Sequence, residues 1–310
     1  MKTRKLSLAA FMMAAALFAG AAIAAQGGAY GVAVPNATNS FYATCVAGVV
    51  EGVKEVDPAA VCVVTDAQFD SAKQLDQISD LIQQGVKALI LIPIDANSAR
   101  TGIQEAVAAG IPVFVIDTPA NSPEVTCTIT ANNYSAGEIA GRALVRGLKD
   151  KGKIVTITTT GSEAVNQRVA GLKDQIGPDS GIVIVMEEIV QNATTDEALT
   201  IMENVLQSVP DVAGVFTTGD VFAIGICAAL QANGHAPGEV LVTSVDGTNN
   251  AVELIKSGYL LATAAQPAKR MGIDIAKAAF DHLNGRPVEK TVFLPCTEVN
   301  KDNVATYVGF

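Results

Sequence analysis

From Tyr30 onward the chain alternates short β-rich apolar runs with longer segments whose apolar residues recur at helical spacing. This pattern constrains the fold more than any other feature. The runs Tyr30–Val34, Val61–Thr65, Ala88–Ile92 and Pro112–Ile116 read as strands. Between them lie helical patterns at 40–56 and 96–109, and one that opens at Ser71-x-x-Gln74, a capping box, and stops at Gly85. Strands alternating with helices in this way form a βαβ series, so the expectation is a parallel sheet covered on both faces. The pattern restarts with a strand at Val125–Thr130 and continues through Ile154–Thr158, Ile182–Met186, Gly214–Thr217, Val240–Ser244 and Leu261–Ala265. Its helices fall near 136–148, 163–175, 194–208, 220–233, 249–257 and 267–283, with a second capping box at Thr194-x-x-Glu197. Two such series are too long for one comfortable sheet, so the prediction is α/β with two doubly wound lobes. No Pro/Gly/Ser-rich linker separates them, which suits a hinge better than a tether.

The amino terminus is of a different kind. Lys2, Arg4 and Lys5 precede an apolar stretch from Leu6 to Ala22, and Ala22-Ile23-Ala24 is a small-x-small site. This reads as a secretory signal peptide over residues 1–25, and hence as an exported protein in the periplasm. No later run is long and apolar enough to span a bilayer, and no Cys follows the apolar stretch for lipid attachment. The chain of 310 residues is 49% hydrophobic, which excludes a disordered polypeptide. With 21 Lys+Arg against 31 Asp+Glu it lacks the basic surplus that nucleic acid demands. Cys45, Cys62, Cys127, Cys227 and Cys296 show no C-x-x-C spacing, so neither zinc nor thioredoxin-like chemistry is supported, and their pairing stays open.

Ligands of open parallel sheets bind beyond the carboxyl ends of strands. The residues in those places are Asn36, Asn39, Ser40, Phe41 and Tyr42; Asp66 and Gln68; Asp95; Asp117 and Thr118; and then Arg168, Asp220, Asp246 and Gln266. Carboxylates accept from paired hydroxyls, a guanidinium donates as a fork, amides do both, and aromatic rings cover the C–H face of a sugar. The set suits a neutral polyhydroxylated ligand. Bland readings stand beside it: Asn39 or Asp220 as helix caps, Asp66 and Asp95 as turn residues, Phe41 as core, Arg168 in an ion pair. His235 and His282 lie in solvated settings, and no H-E-x-x-H, G-x-S-x-G, Walker A or Ca²⁺ loop occurs. Neither an enzyme nor a cofactor is expected.

Asn39-Ser40-Phe41-Tyr42, Ile116-Asp117, Gln167-Arg168-x-x-Gly171, Gly219-Asp220, Val245-Asp246-Gly247-Thr248 and Ala264-Ala265-Gln266-Pro267 occur in this order along the chain. In order and spacing they resemble the ribose/galactose-binding type of periplasmic sugar-binding proteins, which feed ABC importers. The resemblance spans essentially the whole chain after residue 25. It implies two Rossmann-like lobes joined by three crossovers, residues 26–131 with 267–295 and residues 132–266 with 296–310. It also implies a ligand captured between the lobes, and a monomer that delivers this ligand to the importer permease without entering the membrane. The site residues it implies are Asn39, Phe41, Tyr42, Asp117, Arg168, Asp246 and Gln266. Thr118 stands where the ribose-binding pattern has Arg and Gly219 where it has Asn, and no aromatic lies near Ala193 or Thr194. Thr118, Gly219, Asp220 and Phe222 are the remaining candidates, Phe222 as part of an aromatic wall. These departures point away from ribose and toward a differently substituted sugar or a polyol. A nucleoside ligand, or a sensing rather than an uptake role, stays open. Arg168→Ala is expected to weaken binding and leave folding nearly intact.

Overall fold

The computed structural model describes residues 27–159, 163–178 and 180–310, and the expected export signal lies outside them. Along the chain the elements are β1 (Ala29–Val34), α1 (Ser40–Val56), β2 (Val61–Asp66), α2 (Ser71–Gln83), β3 (Ala88–Leu91), α3 (Arg100–Ala108), β4 (Val113–Ile116) and β5 (Cys127–Ala131). Then come α4 (Asn133–Leu148), β6 (Lys151–Thr158), α5 (Glu163–Gln175), β7 (Gly181–Ile189), α6 (Thr195–Ser208), β8 (Val212–Thr217), α7 (Asp220–Ala232) and β9 (Leu241–Asp246). The chain ends with α8 (Asn249–Ser257), β10 (Ala262–Ala265), α9 (Ala268–Leu283), β11 (Thr291–Leu294) and β12 (Thr297–Asn300). Two compact units result. Of the described residues, one takes 27–130 plus Ala268–Phe293, the other those of Ala131–Pro267 plus Leu294–Phe310.

The first sheet has the order β11-β5-β4-β3-β1-β2, the second β12-β10-β9-β8-β6-β7. β1 pairs in parallel with β2 and β3, and β6 in parallel with β7 and β8. The strand order reverses at β1 in one sheet and at β6 in the other, which marks the crevice where doubly wound sheets take ligands. β12 runs antiparallel to β10 at the edge of the second sheet.

Three local readings change. The strand expected to open the second series instead joins the first sheet, since β5 pairs with β4 from Phe114↔Cys127 to Ile116↔Ile129. β11 and β12 are short edge strands with half-exposed, partly polar sequences, which carry little apolar signal. The residue that caps α2 is Asp70, whose carboxylate accepts from Ala72 and Lys73 N–H, not Ser71. Gln74 is buried instead, donating to the Ile92 carbonyl and accepting from Ile94 N–H, so it fastens the end of β3. At α6 the Thr194 hydroxyl does accept from Glu197 N–H, while the Glu197 carboxylate accepts from Gln191 and Asn192 N–H at 2.8 Å each.

Each unit has its own core. In the first, Ile78, Leu81, Leu89, Leu91, Ile103 and Val115 are fully buried. In the second, Val155, Ile157, Val215, Ile226 and Val242 are. All five cysteines are free thiols. Burial pushes the Cys62 and Cys127 thiols up to about 11 and those of Cys227 and Cys296 to about 12, which holds them protonated.

Candidate functional site

The second unit gathers its polar residues at the carboxyl ends of β8, β9 and β10. Arg168 arrives there because α5 packs very closely on α4. A Cβ on Gly137 would lie 1.9 Å from the Arg168 carbonyl oxygen, and one on Gly171 2.2 Å from that of Tyr134. Only glycine allows this approach, so Gly171 in Gln167-Arg168-x-x-Gly171 serves packing. The Arg168 side chain is buried. Its Nε donates to Asn133 Oδ1 at 2.8 Å, its Nη1 donates to the Thr218 carbonyl at 2.7 Å, and Nη1 lies 3.7 Å from Asp246 Oδ1. No described residue engages Nη2, which leaves part of the guanidinium fork unspent.

Asp246 ends β9 with φ 135°, a conformation that side-chain-bearing residues rarely adopt, and Gly247 follows at φ 90°. A Cβ on Gly247 would meet the Tyr307 hydroxyl at 2.4 Å. Asp246 Oδ1 accepts from Gln266 Nε2 at 2.7 Å and Oδ2 from Asp220 N–H at 3.3 Å. Burial raises the Asp246 carboxyl to about 7. The Arg168 charge opposes that rise and the Asp220 charge adds to it. Gln266 is itself buried, and its Oε1 has no partner among the described residues; the same holds for the hydroxyls of Thr217, Thr218 and Thr243. Buried polar atoms are normally satisfied, so these groups hold hydrogen-bonding capacity that the described residues do not use.

Asp220 turns out to be neither a cap nor an open ligand group. Gly219 holds the cap position of α7, without a side-chain bond, and Asp220 is the first helical residue. Its fully buried carboxylate accepts five hydrogen bonds, from the hydroxyls of Ser244, Thr263 and Thr248 and the N–H groups of Gly247 and Thr248. It thereby fixes the turn that carries Asp246. Phe222 is 4% exposed and lies in the apolar core of its unit, so it is not an open aromatic wall. A Cβ on Gly219 would stand 3.4 Å from Asp246 Oδ2, ordinary contact distance.

The first unit presents its candidates at the carboxyl ends of β1, β2 and β4. Asn39 caps α1, with Oδ1 accepting from Phe41 N–H at 3.0 Å and Tyr42 N–H at 3.4 Å. Its amide NH₂ is not used in the cap. Phe41 and Tyr42 are half-buried and meet edge to face with centroids 5.6 Å apart. Phe41 is therefore not a core residue. Asp117 follows β4 at φ 68°, and its Oδ2 accepts from the Thr118 hydroxyl at 3.1 Å. Asp66 Oδ1 accepts from Ala37 and Gln68 N–H, and Asp95 Oδ1 from Asn97 and Ser98 N–H, so both are turn residues.

The structure thus brings Arg168, Asp246 and Gln266 together in one unit, and sets Asn39, Phe41, Tyr42, Asp117 and Thr118 beyond the carboxyl ends of β1 and β4 in the other. Residues not anticipated from sequence are Asn133, which holds Arg168, and Ser244, Thr248 and Thr263, which hold Asp220. Asn133 was findable, since Asn132-Asn133 directly follows β5.

A family model described as a periplasmic binding protein domain matches residues 30–287. The ribose import binding protein of Bacillus subtilis is 32% identical over 266 residues, 86% of this chain and 85% of that protein. The D-apiose import binding protein of Paraburkholderia graminis is 32% identical over 242 residues, 76% and 75% of the two chains. Among solved structures, an ABC transporter solute binding protein of Bacillus halodurans C-125 with bound myo-inositol superposes with a TM-score of 0.80. It is 27% identical, over 91% of this chain and 97% of that one. With its two doubly wound units and strand-end polar clusters, the chain belongs to the periplasmic binding protein family.

Proposed function

We propose that this protein captures a monosaccharide or related polyol outside the cytoplasm, in the periplasm, and delivers it to an ABC importer, acting as a monomeric binder and not as an enzyme. The observation that carries the reading is the Arg168–Asp246–Gln266 cluster, in which Arg168 and Gln266 are buried and Asp246 is partly exposed, with Arg168 Nη2 and Gln266 Oε1 left for a partner. A donor fork, a carboxylate and an amide within one cluster match vicinal hydroxyls, which both donate and accept. Within the first unit, Asn39, Phe41, Tyr42, Asp117 and Thr118 are the groups we assign to sugar recognition, the rings suiting a sugar's C–H face. The named relatives support the ligand class, since they include import proteins for ribose and D-apiose and a structure holding myo-inositol. No helix among the described residues is long and apolar enough to cross a membrane.

A thermal-shift panel of pentoses, hexoses, deoxy sugars, cyclitols and nucleosides tests the proposal. A ligand specific to the folded state adds ~2.7 kcal/mol of stability at about 100 times its Kd, which is readily seen. One sharp sugar or cyclitol response is expected. No response from a folded, ligand-free sample, or a response to nucleosides alone, overturns the sugar reading.

A further inference from the structure

We propose that Phe69, on the loop after β2, is a third aromatic ligand contact of the site and sets which sugars it accepts. This inference rests on the sugar-binding reading. Phe69 has φ 60° and the preceding Gln68 φ 55°. A bulky residue in the left-handed region is a true outlier, and glycine is the residue that adopts it freely. Strain of this kind persists only where surrounding structure fixes it, and it clusters at ligand contacts. Here the fixing is explicit. Phe69 N–H donates to the Pro35 carbonyl at 2.7 Å and Ala67 N–H to that of Val34 at 3.1 Å. Asp66 Oδ1 ties Ala37 N–H of the loop after β1 to Gln68 N–H of the loop after β2, at 3.2 and 3.0 Å. The loop after β2 is thereby bound to the loop that bears Asn39, Phe41 and Tyr42.

The strained backbone does not serve to bury the ring, since Phe69 remains 56% exposed. It brings the ring to 6.2 Å from that of Tyr42, at an interplanar angle of 61°, and Tyr42 in turn lies against Phe41. The three rings form one row across the carboxyl ends of β1 and β2, at the switch point of the first sheet. An exposed ring at the open end of that row extends the apolar surface that a sugar's C–H face would meet.

Isothermal titration of the wild-type protein with D-ribose, D-apiose and myo-inositol, repeated on Phe69→Gly, Phe69→Leu and Phe69→Tyr, tests this. Glycine relieves the backbone strain, so Phe69→Gly should melt no lower than wild type while binding at least tenfold more weakly. Leucine keeps packing against Tyr42 but has no flat face, so it should lose affinity similarly. Tyrosine should retain it and shift the ranking of the three probes. Wild-type affinity in Phe69→Leu or Phe69→Gly overturns the assignment and leaves the sugar reading intact. A wild-type protein that binds none of the three probes and no other sugar or cyclitol of the thermal-shift panel defeats both.

Discussion

Arg168 and Asp246 face each other at 3.7 Å, and each is held by a residue next to a change of unit in the chain. Asn133, two residues past Ala131, accepts from Arg168 Nε, and Gln266, just before Pro267, donates to Asp246 Oδ1. Asn133 Nδ2 also donates to the Ala131 carbonyl at 3.2 Å. The ion pair is therefore fixed to the segments where the polypeptide passes from one unit to the other. This alters the expectation for Arg168→Ala. The residue is only 9% exposed and hydrogen-bonds Asn133 and the Thr218 carbonyl, so its removal strands both and leaves Asp246 without its counter-charge. A loss of about 2–3 kcal/mol in stability is expected alongside at least a hundredfold loss of sugar affinity. Chemical denaturation and titration calorimetry on one sample read both, and unchanged affinity removes Arg168 from the site.

The raised Asp246 carboxyl makes stability depend on pH in a definite direction. Its pKa is higher folded, about 7, than unfolded, near the ordinary value of 3.8. Between those values the folded state holds the extra proton, so this group's contribution to stability falls as pH rises from 4 toward 8. Asp246→Asn has no such proton, so it should gain on wild type over that range, by about 2–4 kcal/mol at most. Melting curves of both proteins at pH 5, 6, 7 and 8 measure the gap; a constant gap contradicts the shift. A ligand whose hydroxyls donate to Asp246 prefers the ionised form, so its Kd should tighten as pH rises through about 7.

Which parts of this were legible in the sequence follows from the range of the interactions involved. Strands such as β3 and β4, buried along their whole length, announce themselves as unbroken apolar runs. The residues at strand ends were legible because the fold class alone says where ligands bind. The work of Asp220 was not legible, because its partners Ser244 and Thr263 lie 24 and 43 residues away. Gln74 fits half of a local capping box by spacing, yet it bonds 18 and 20 residues onward. Phe69 carries no sequence signal of its own, because an aromatic after a strand resembles a core residue until its φ and exposure are known.

Asp220 should behave as a structural node, not as a ligand group. Asp220→Ala leaves two N–H groups and three hydroxyls without their acceptor at the turn after β9. A cost of about 3–5 kcal/mol is expected from stranding that many buried donors. Sugar affinity should fall too, because Asp246 loses its fixed turn, but saturating ligand should recover part of the lost melting temperature. A stable variant with wild-type melting would mean the carboxylate does not hold the turn.

Phe41 and Phe222 make a paired test, since both began as candidates for ring contact with the ligand and their surroundings now separate them. Phe222 is packed among buried aliphatic residues, so Phe222→Ala opens a cavity and should cost about 3–5 kcal/mol. Its ligand affinity, measured well below the lowered melting point, should change by less than about threefold, a few tenths of a kcal/mol. Phe41 is half-buried beside Tyr42 at a strand end, so truncation opens no comparable cavity and should cost about 1 kcal/mol of stability or less. Its affinity should drop by about 1–2 kcal/mol, the scale of a lost ring contact. Denaturation midpoints plotted against Kd should place the two variants in opposite corners. If both lose affinity alike, Phe222 reaches the ligand after all and the division between core and site drawn from their burial is wrong.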